Sequence, residues 1–144
     1  MGYYDREKFN ELLGKTLTKI ELKNDDPDER EEHNEIYFTT DQGETYLLFH
    51  EQDCCESVYL CDIIGDINDL IGSPILLAEE VSNREDPPPP SEWGEDSYTW
   101  TFYKLSTIKG SITFRWYGES NGYYSEEVNF KLYSIEEEKN ALQS

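Results

Sequence analysis

Cationic charge is scarce in this chain: 12 Lys and Arg stand against 32 Asp and Glu in 144 residues, a formal net charge of -20. A field of that sign repels phosphate backbones and anionic lipid and attracts basic protein surfaces, so direct nucleic-acid binding is disfavoured and no membrane partner is expected. Cysteine is also sparse. There are three, two of them adjacent at Cys54 and Cys55, whereas a disulfide framework needs evenly counted, spaced pairs; reduced thiols follow. No run approaches the ~20 apolar residues of a membrane span. The N-terminus, MGYYDREKFNELLG, places acids where a signal peptide carries a basic region and an apolar stretch, so the expected compartment is the cytoplasm.

Aromatic residues are not scarce. Eleven Tyr, six Phe and three Trp supply the apolar bodies that a disordered acidic chain lacks. The length suits one domain with one core, residues 1–144. Within it, DREKFNELLG reads as a short amphipathic helix, with Asp5 as cap, Phe9, Leu12 and Leu13 on one face, and Gly14 as stop. Residues 16–23 alternate as a half-buried strand with Thr18, Ile20 and Leu22 on one side. An acidic loop at about 24–35 holds no aliphatic residue to bury. EIYFTT and ETYLLFH form a hairpin closed by DQG, with Gly43 supplying positive φ.

SVYLCDIIGDINDLIG mixes a strand signal at Val58 and Leu60 with helical spacing at Ile63, Ile67, Leu70 and Ile71, so a short strand and a helix over Asp62–Leu70 are expected. Gly72-Ser73-Pro74 stops it, and PILLAEEVS resumes as a strand. Four consecutive prolines then define a surface loop at about 83–97. The last third is β: SYTWTFYKLS, GSITFRWYG and GYYSEEVNFKLYS, joined by TIKG and ESNG, predict a meander. Its buried face would hold Trp100, Phe102, Ile112, Phe114, Trp116, Val128, Phe130 and Leu132. A short helix is expected in IEEEKNALQS. The expected fold is thus α+β: an antiparallel sheet or meander with an N-terminal helix and one short central helix.

HEQDCCESV, residues 50–58, concentrates polar chemistry. Zinc would need four imidazole or thiolate ligands in a tetrahedron, but Cys54 and Cys55 are adjacent, the two-residue gap of a zinc knuckle is missing, and His33 and Cys61 would have to fold in from elsewhere. Glu51, Asp53, Glu56, Asp62 and Asp66 offer oxygen ligands without the spacing of a calcium loop. Neither metal nor cofactor is assigned. A catalytic reading uses His50 to activate Cys54 with Asp53 beside them, yet surrounding carboxylates oppose a thiolate. The simplest account makes Cys54, Cys55 and Cys61 small buried residues and His50 a hydrogen-bonding group at a strand end. In RWYGESNGYYS, an inward Arg115 would pair with Glu51, Asp53 or Glu56. Alternatively His50, Glu56, Arg115, Tyr117, Asn121 and Tyr123 would line a site for a nucleotide-like ligand, as binding protein or enzyme.

Together HEQDCCESV, GDINDLIGSPILLAEE, YTWTFYKL and RWYGESNGYYSEEVNF resemble an uncharacterised family of small phage and bacterial proteins over about residues 45–133. The resemblance implies a small soluble intracellular protein that can belong to a mobile element, and assigns no activity or cofactor. With the charge, it leads to a non-enzymatic inhibitor of a host nucleic-acid-handling or defence protein, akin to a DNA mimic. Partner contacts are expected through Asp25, Asp26, Asp28, Glu29, Glu31, Glu32, Glu79, Glu80, Glu85 and Asp86, whose carboxylates would stand in for phosphates on a basic surface. The oligomeric state is not legible.

Overall fold

The computed structural model describes residues 8–23, 35–51, 56–87 and 97–135. They form eight antiparallel strands: β1 (Leu17–Lys23), β2 (Glu35–Thr40), β3 (Glu44–Phe49), β4 (Ser57–Ile64), β5 (Leu77–Asn83), β6 (Ser97–Thr107), β7 (Gly110–Ser120) and β8 (Asn129–Ile135). One four-stranded sheet has the order β1-β2-β3-β8 and the other β4-β7-β6-β5. The expected β2–β3 hairpin is present, with Gly43 at φ 83. β6 and β7 pair from end to end, closing on Thr107 opposite Gly110.

One apolar cluster joins the two sheets. Ile36, Phe38, Tyr46, Leu48 and Phe130 from the first meet Val58, Leu60, Tyr103, Leu105, Phe114 and Trp116 from the second. Phe38 packs edge-on against Phe114 across the layers, with centroids 5.8 Å apart. Phe9 is the plug, touching Phe38, Tyr103 and Phe130 at 6.4, 4.8 and 5.3 Å. The Trp116 indole N–H lies in this core without a hydrogen-bond partner among the described residues. That costs about 1–3 kcal/mol, less than the roughly 4–6 kcal/mol that burying the ~150–250 Å² of an aromatic side chain returns.

The α+β expectation is overturned: the described residues hold no α-helix, only 3-10 turns at Phe9–Leu12 and Ile67–Leu70. Short isolated helices nucleate poorly, and one 3-10 turn already places residues i and i+3 on one side, which is enough to bury Phe9 and Leu12. Leu13, assigned to the same face, is 48% exposed. The central helix fails for another reason. Ile63 belongs to β4, opposite Phe114, and Gly65 at φ 110 ends that strand, leaving a single turn capped by Asp66. A Cβ at Gly65 would fall 2.7 Å from the Ser111 carbonyl oxygen, so the β4 exit passes too close to β7 for any side chain.

Three strand expectations are also corrected. A bulge between Leu17 and Lys19 turns Leu17 inward and leaves Thr18 exposed. β8 pairs with β3 and not with β7, so ESNG opens a crossover between sheets where a meander needs a hairpin. In β6 the face is opposite to the one expected: Thr101, Tyr103 and Leu105 point inward, while Trp100 and Phe102 lie on the outer side beside Arg115. Asp5, the acidic loop at 24–34, the prolines beyond Pro87 and the expected C-terminal helix lie outside the described residues. No helix among the described residues is long and apolar enough to cross a membrane.

Candidate functional site

β3 ends in the first sheet at Phe49 and β4 begins in the second at Ser57, so the chain changes layer between His50 and Glu56. His50 and Glu56 stand at the two ends of that crossing and meet. His50 Nε2 lies 2.7 Å from Glu56 Oε2, with both side chains almost wholly buried. His50 Nδ1 lies 2.7 Å from the Glu127 carbonyl oxygen. A carbonyl only accepts, so Nδ1 carries a hydrogen. The Nε2 contact ties the imidazole to the Glu56 carboxyl group.

The second crossing, residues 121–128 from β7 to β8, lies against the first. Its Glu126 is buried and accepts from Thr99 Oγ1 at 2.7 Å and Ser120 Oγ at 2.5 Å. Gly118 makes room for it: a Cβ there would lie 2.9 Å from the Glu126 carbonyl oxygen. Glu126, Ser120, Thr99 and Gly118 are functional-site neighbours that the sequence reading missed. A signal existed, since Glu126 shares the two-residue period of Val128 and Phe130, both assigned to the buried face.

Of the residues proposed for a ligand site, the fold makes separate pairs and not one cluster: His50 with Glu56, Arg115 and Tyr117 beside Trp100, and Asn121 with Tyr123. Arg115 and Tyr117 lie on the outer face of the second sheet. The Arg115 guanidinium sits 4.8 Å from the Trp100 ring and 5.9 Å from Phe102, and 3.4 Å from Asp62, in place of Glu51 or Glu56. Tyr117 contacts Trp100, Tyr98 and Tyr59, and burial, followed by its bond to Glu119, raises its hydroxyl pKa. Asn121 turns the chain by accepting from the Tyr123 N–H at 2.9 Å, and Tyr123 is 81% exposed. Gln52, Asp53, Cys54 and Cys55 lie outside the described residues. Cys61, expected to be buried, is exposed on the outer side of β4; partial burial raises its thiol pKa and Arg115 draws it back. Among the described residues no group of three or more His, Cys, Asp or Glu is placed to hold a metal ion.

Of the expected partner contacts, Glu79, Glu80, Glu85 and Asp86 run exposed along β5, an edge strand, and the turn after it, where Asn83 Oδ1 accepts from the Glu85 and Asp86 N–H groups. Residues 25, 26, 28, 29, 31 and 32 lie outside the described residues. Glu80 borders a cavity of about 340 Å³ with Tyr103, Glu127 and Phe9. Its carboxyl pKa is raised, first by burial and then by Glu127, with Tyr103 opposing. A raised folded-state pKa means that the ionised carboxylate opposes folding at neutral pH and that the penalty fades as pH falls through that pKa. Glu80→Gln should therefore unfold at a higher temperature than the parent at pH 7, with the gap closing toward pH 4; calorimetry across that range checks it, and a less stable variant at pH 7 would contradict it.

No curated protein and no solved structure matches the chain. A family model matches residues 10–130, a span that runs from the first 3-10 turn to the start of β8 and takes in β1 to β7, both crossings and all the carboxylates of the β5 edge. The chain belongs to the DUF7448 family, a domain of unknown function.

Proposed function

We propose that the protein is a non-enzymatic acidic binding protein whose carboxylates engage a basic surface on a protein partner. The observation that carries this reading is the net charge of -20 joined to a core that admits few acids: among the described residues only Glu56 and Glu126 are buried. The remaining described carboxylates reach solvent, and four of them follow one another along the β5 edge and its turn. The described cations on the sheets are largely occupied, Arg115 by Asp62 and two rings, Lys23 by Tyr37 and Glu21, and Lys131 by the Phe49 ring. Such a surface steers cationic partners and repels polyanions.

A phage-derived inhibitor of a host nucleic-acid-handling or defence protein is the finer form of this proposal. It draws on the resemblance to phage and bacterial proteins and on the likeness of spaced carboxylates to a phosphate backbone. The test is binding to host basic proteins measured at rising ionic strength, with heparin as a competing polyanion. Association should slow by about tenfold or more as salt passes from low to physiological strength, because surface fields are screened over roughly 8–10 Å. Replacing Glu79, Glu80, Glu85 and Asp86 by Lys should remove it. Binding indifferent to salt, to heparin and to that charge reversal would refute the proposal.

A further inference from the structure

The inner face of the second sheet changes chemistry along its length. At one end Leu105, Tyr103 and Ala78 face the core. At the other, the same rows continue as Thr101, Thr99 and Ser97 on β6 and Ser82 opposite Thr101 on β5. Four successive hydroxyls thus occupy positions where the two-residue period calls for apolar side chains, while Trp100 and Phe102 go outward. A break in binary patterning of this kind marks either a structural network or a site. Glu126 accounts for Thr99 alone. Thr101 is 4% exposed, and its hydroxyl makes no hydrogen bond among the described residues.

These hydroxyls share an open cavity of about 290 Å³, lined also by Arg84, Gly122, Tyr124 and residues 125–128. Its size lies near the lower limit of small-molecule pockets, roughly 300 Å³. A ligand there would meet hydroxyls that both donate and accept, an Arg donor at the rim, and Glu126. Each Glu126 oxygen holds one bond, and a carboxylate offers about four acceptor sites. Glu126 and Glu127 disfavour an anion, and Arg84 disfavours a cation.

We propose that this cavity binds a neutral polyhydroxylated ligand of one-ring size, a pyranose, whose hydroxyls pair with Thr101, Ser82 and Glu126 while Tyr124 borders its apolar face. The site is independent of the charged β5 edge and requires no cationic partner. The same ring could arrive as a free sugar or as the terminal unit of a glycan, and the two differ at the anomeric oxygen.

Nitrogen-15-labelled full-length protein would be titrated with glucose, galactose, mannose, N-acetylglucosamine and their methyl glycosides, with glucuronate as the charged control. Saturable amide shifts centred on residues 82–84, 97–101 and 122–128 are expected for at least one neutral sugar, with glucuronate about tenfold weaker or worse. Methyl glycosides binding as well as free sugars would assign the site to a glycan terminus; loss on methylation would assign it to the free sugar. Thr101→Val and Ser82→Ala, neither of which removes a described hydrogen bond, should each weaken binding about tenfold with the thermal midpoint unchanged. Absence of a saturable shift with every neutral sugar overturns the proposal. So does binding that survives both substitutions.

Discussion

His50→Ala is expected to cost about 3 kcal/mol, the lower end of the range for breaking a buried ion pair. His50 ties three parts of the chain: its own position after β3, Glu56 before β4, and the Glu127 carbonyl ahead of β8. Alanine removes the imidazole from an almost fully buried carboxyl group and frees a carbonyl from its N–H donor. Replacing both residues by Leu should recover most of the loss, since well-packed apolar pairs often match the ion pairs they replace. Urea unfolding of the two single variants and the double variant forms the required cycle. A His50→Ala variant within about 0.5 kcal/mol of the parent, the usual effect of a surface change, would show that the contact does not hold the crossings together.

How much of this could be read beforehand varies with the element. The β2–β3 hairpin was legible because its turn chemistry and both alternating runs agree, and β4, β5, β6 and β7 were each found as strands. The two helices misled because apolar residues at i, i+3 and i+4 were counted as helical, although Ile63 and Leu70 reach the core from a strand and a 3-10 turn separated by Gly65. In β6 the aromatic pattern places Trp100 and Phe102 inward. Trp100 and Phe102 instead cover the outer face, where Arg115 lies over both rings, and small hydroxyls take the inner positions. Residue type alone cannot distinguish two well-packed faces of one strand. The pairing of His50 with Glu56 was within reach, since both lie in one short motif; that of Glu126 with Thr99 and Ser120 was not. It depends on β8 crossing to the first sheet, a topological choice that no local pattern announces.

Gly118→Val should be at least as damaging as the loss of His50, for a steric reason. Gly118 lies on the inner face of β7 opposite Thr99, and the second crossing rests directly on it. The first carbon of any side chain there would lie 2.9 Å from the Glu126 carbonyl oxygen and 3.1 Å from both the Glu126 Cβ and the Val58 Cγ2. Of these neighbours two belong to the crossing itself, so relief requires moving residues 125–128 away from the sheet. Glu126 would then lose the Thr99 and Ser120 hydroxyls. Overpacking of about 1–3 kcal/mol and loss of two hydrogen bonds to a buried carboxyl group, about 1.5–3 kcal/mol each, together predict a loss of about 4 kcal/mol or more. For a chain of this length that lowers the melting temperature by roughly 10 °C or more. Gly118→Ala should fall between, because one methyl group asks for a displacement of only some tenths of an ångström. Hydrogen exchange separates the mechanism from general weakening: amides of residues 122–128 should lose protection in Gly118→Ala before those of β6 and β7 do. Equal loss of protection throughout the sheet would mean that Gly118 serves strand packing and not the seating of Glu126.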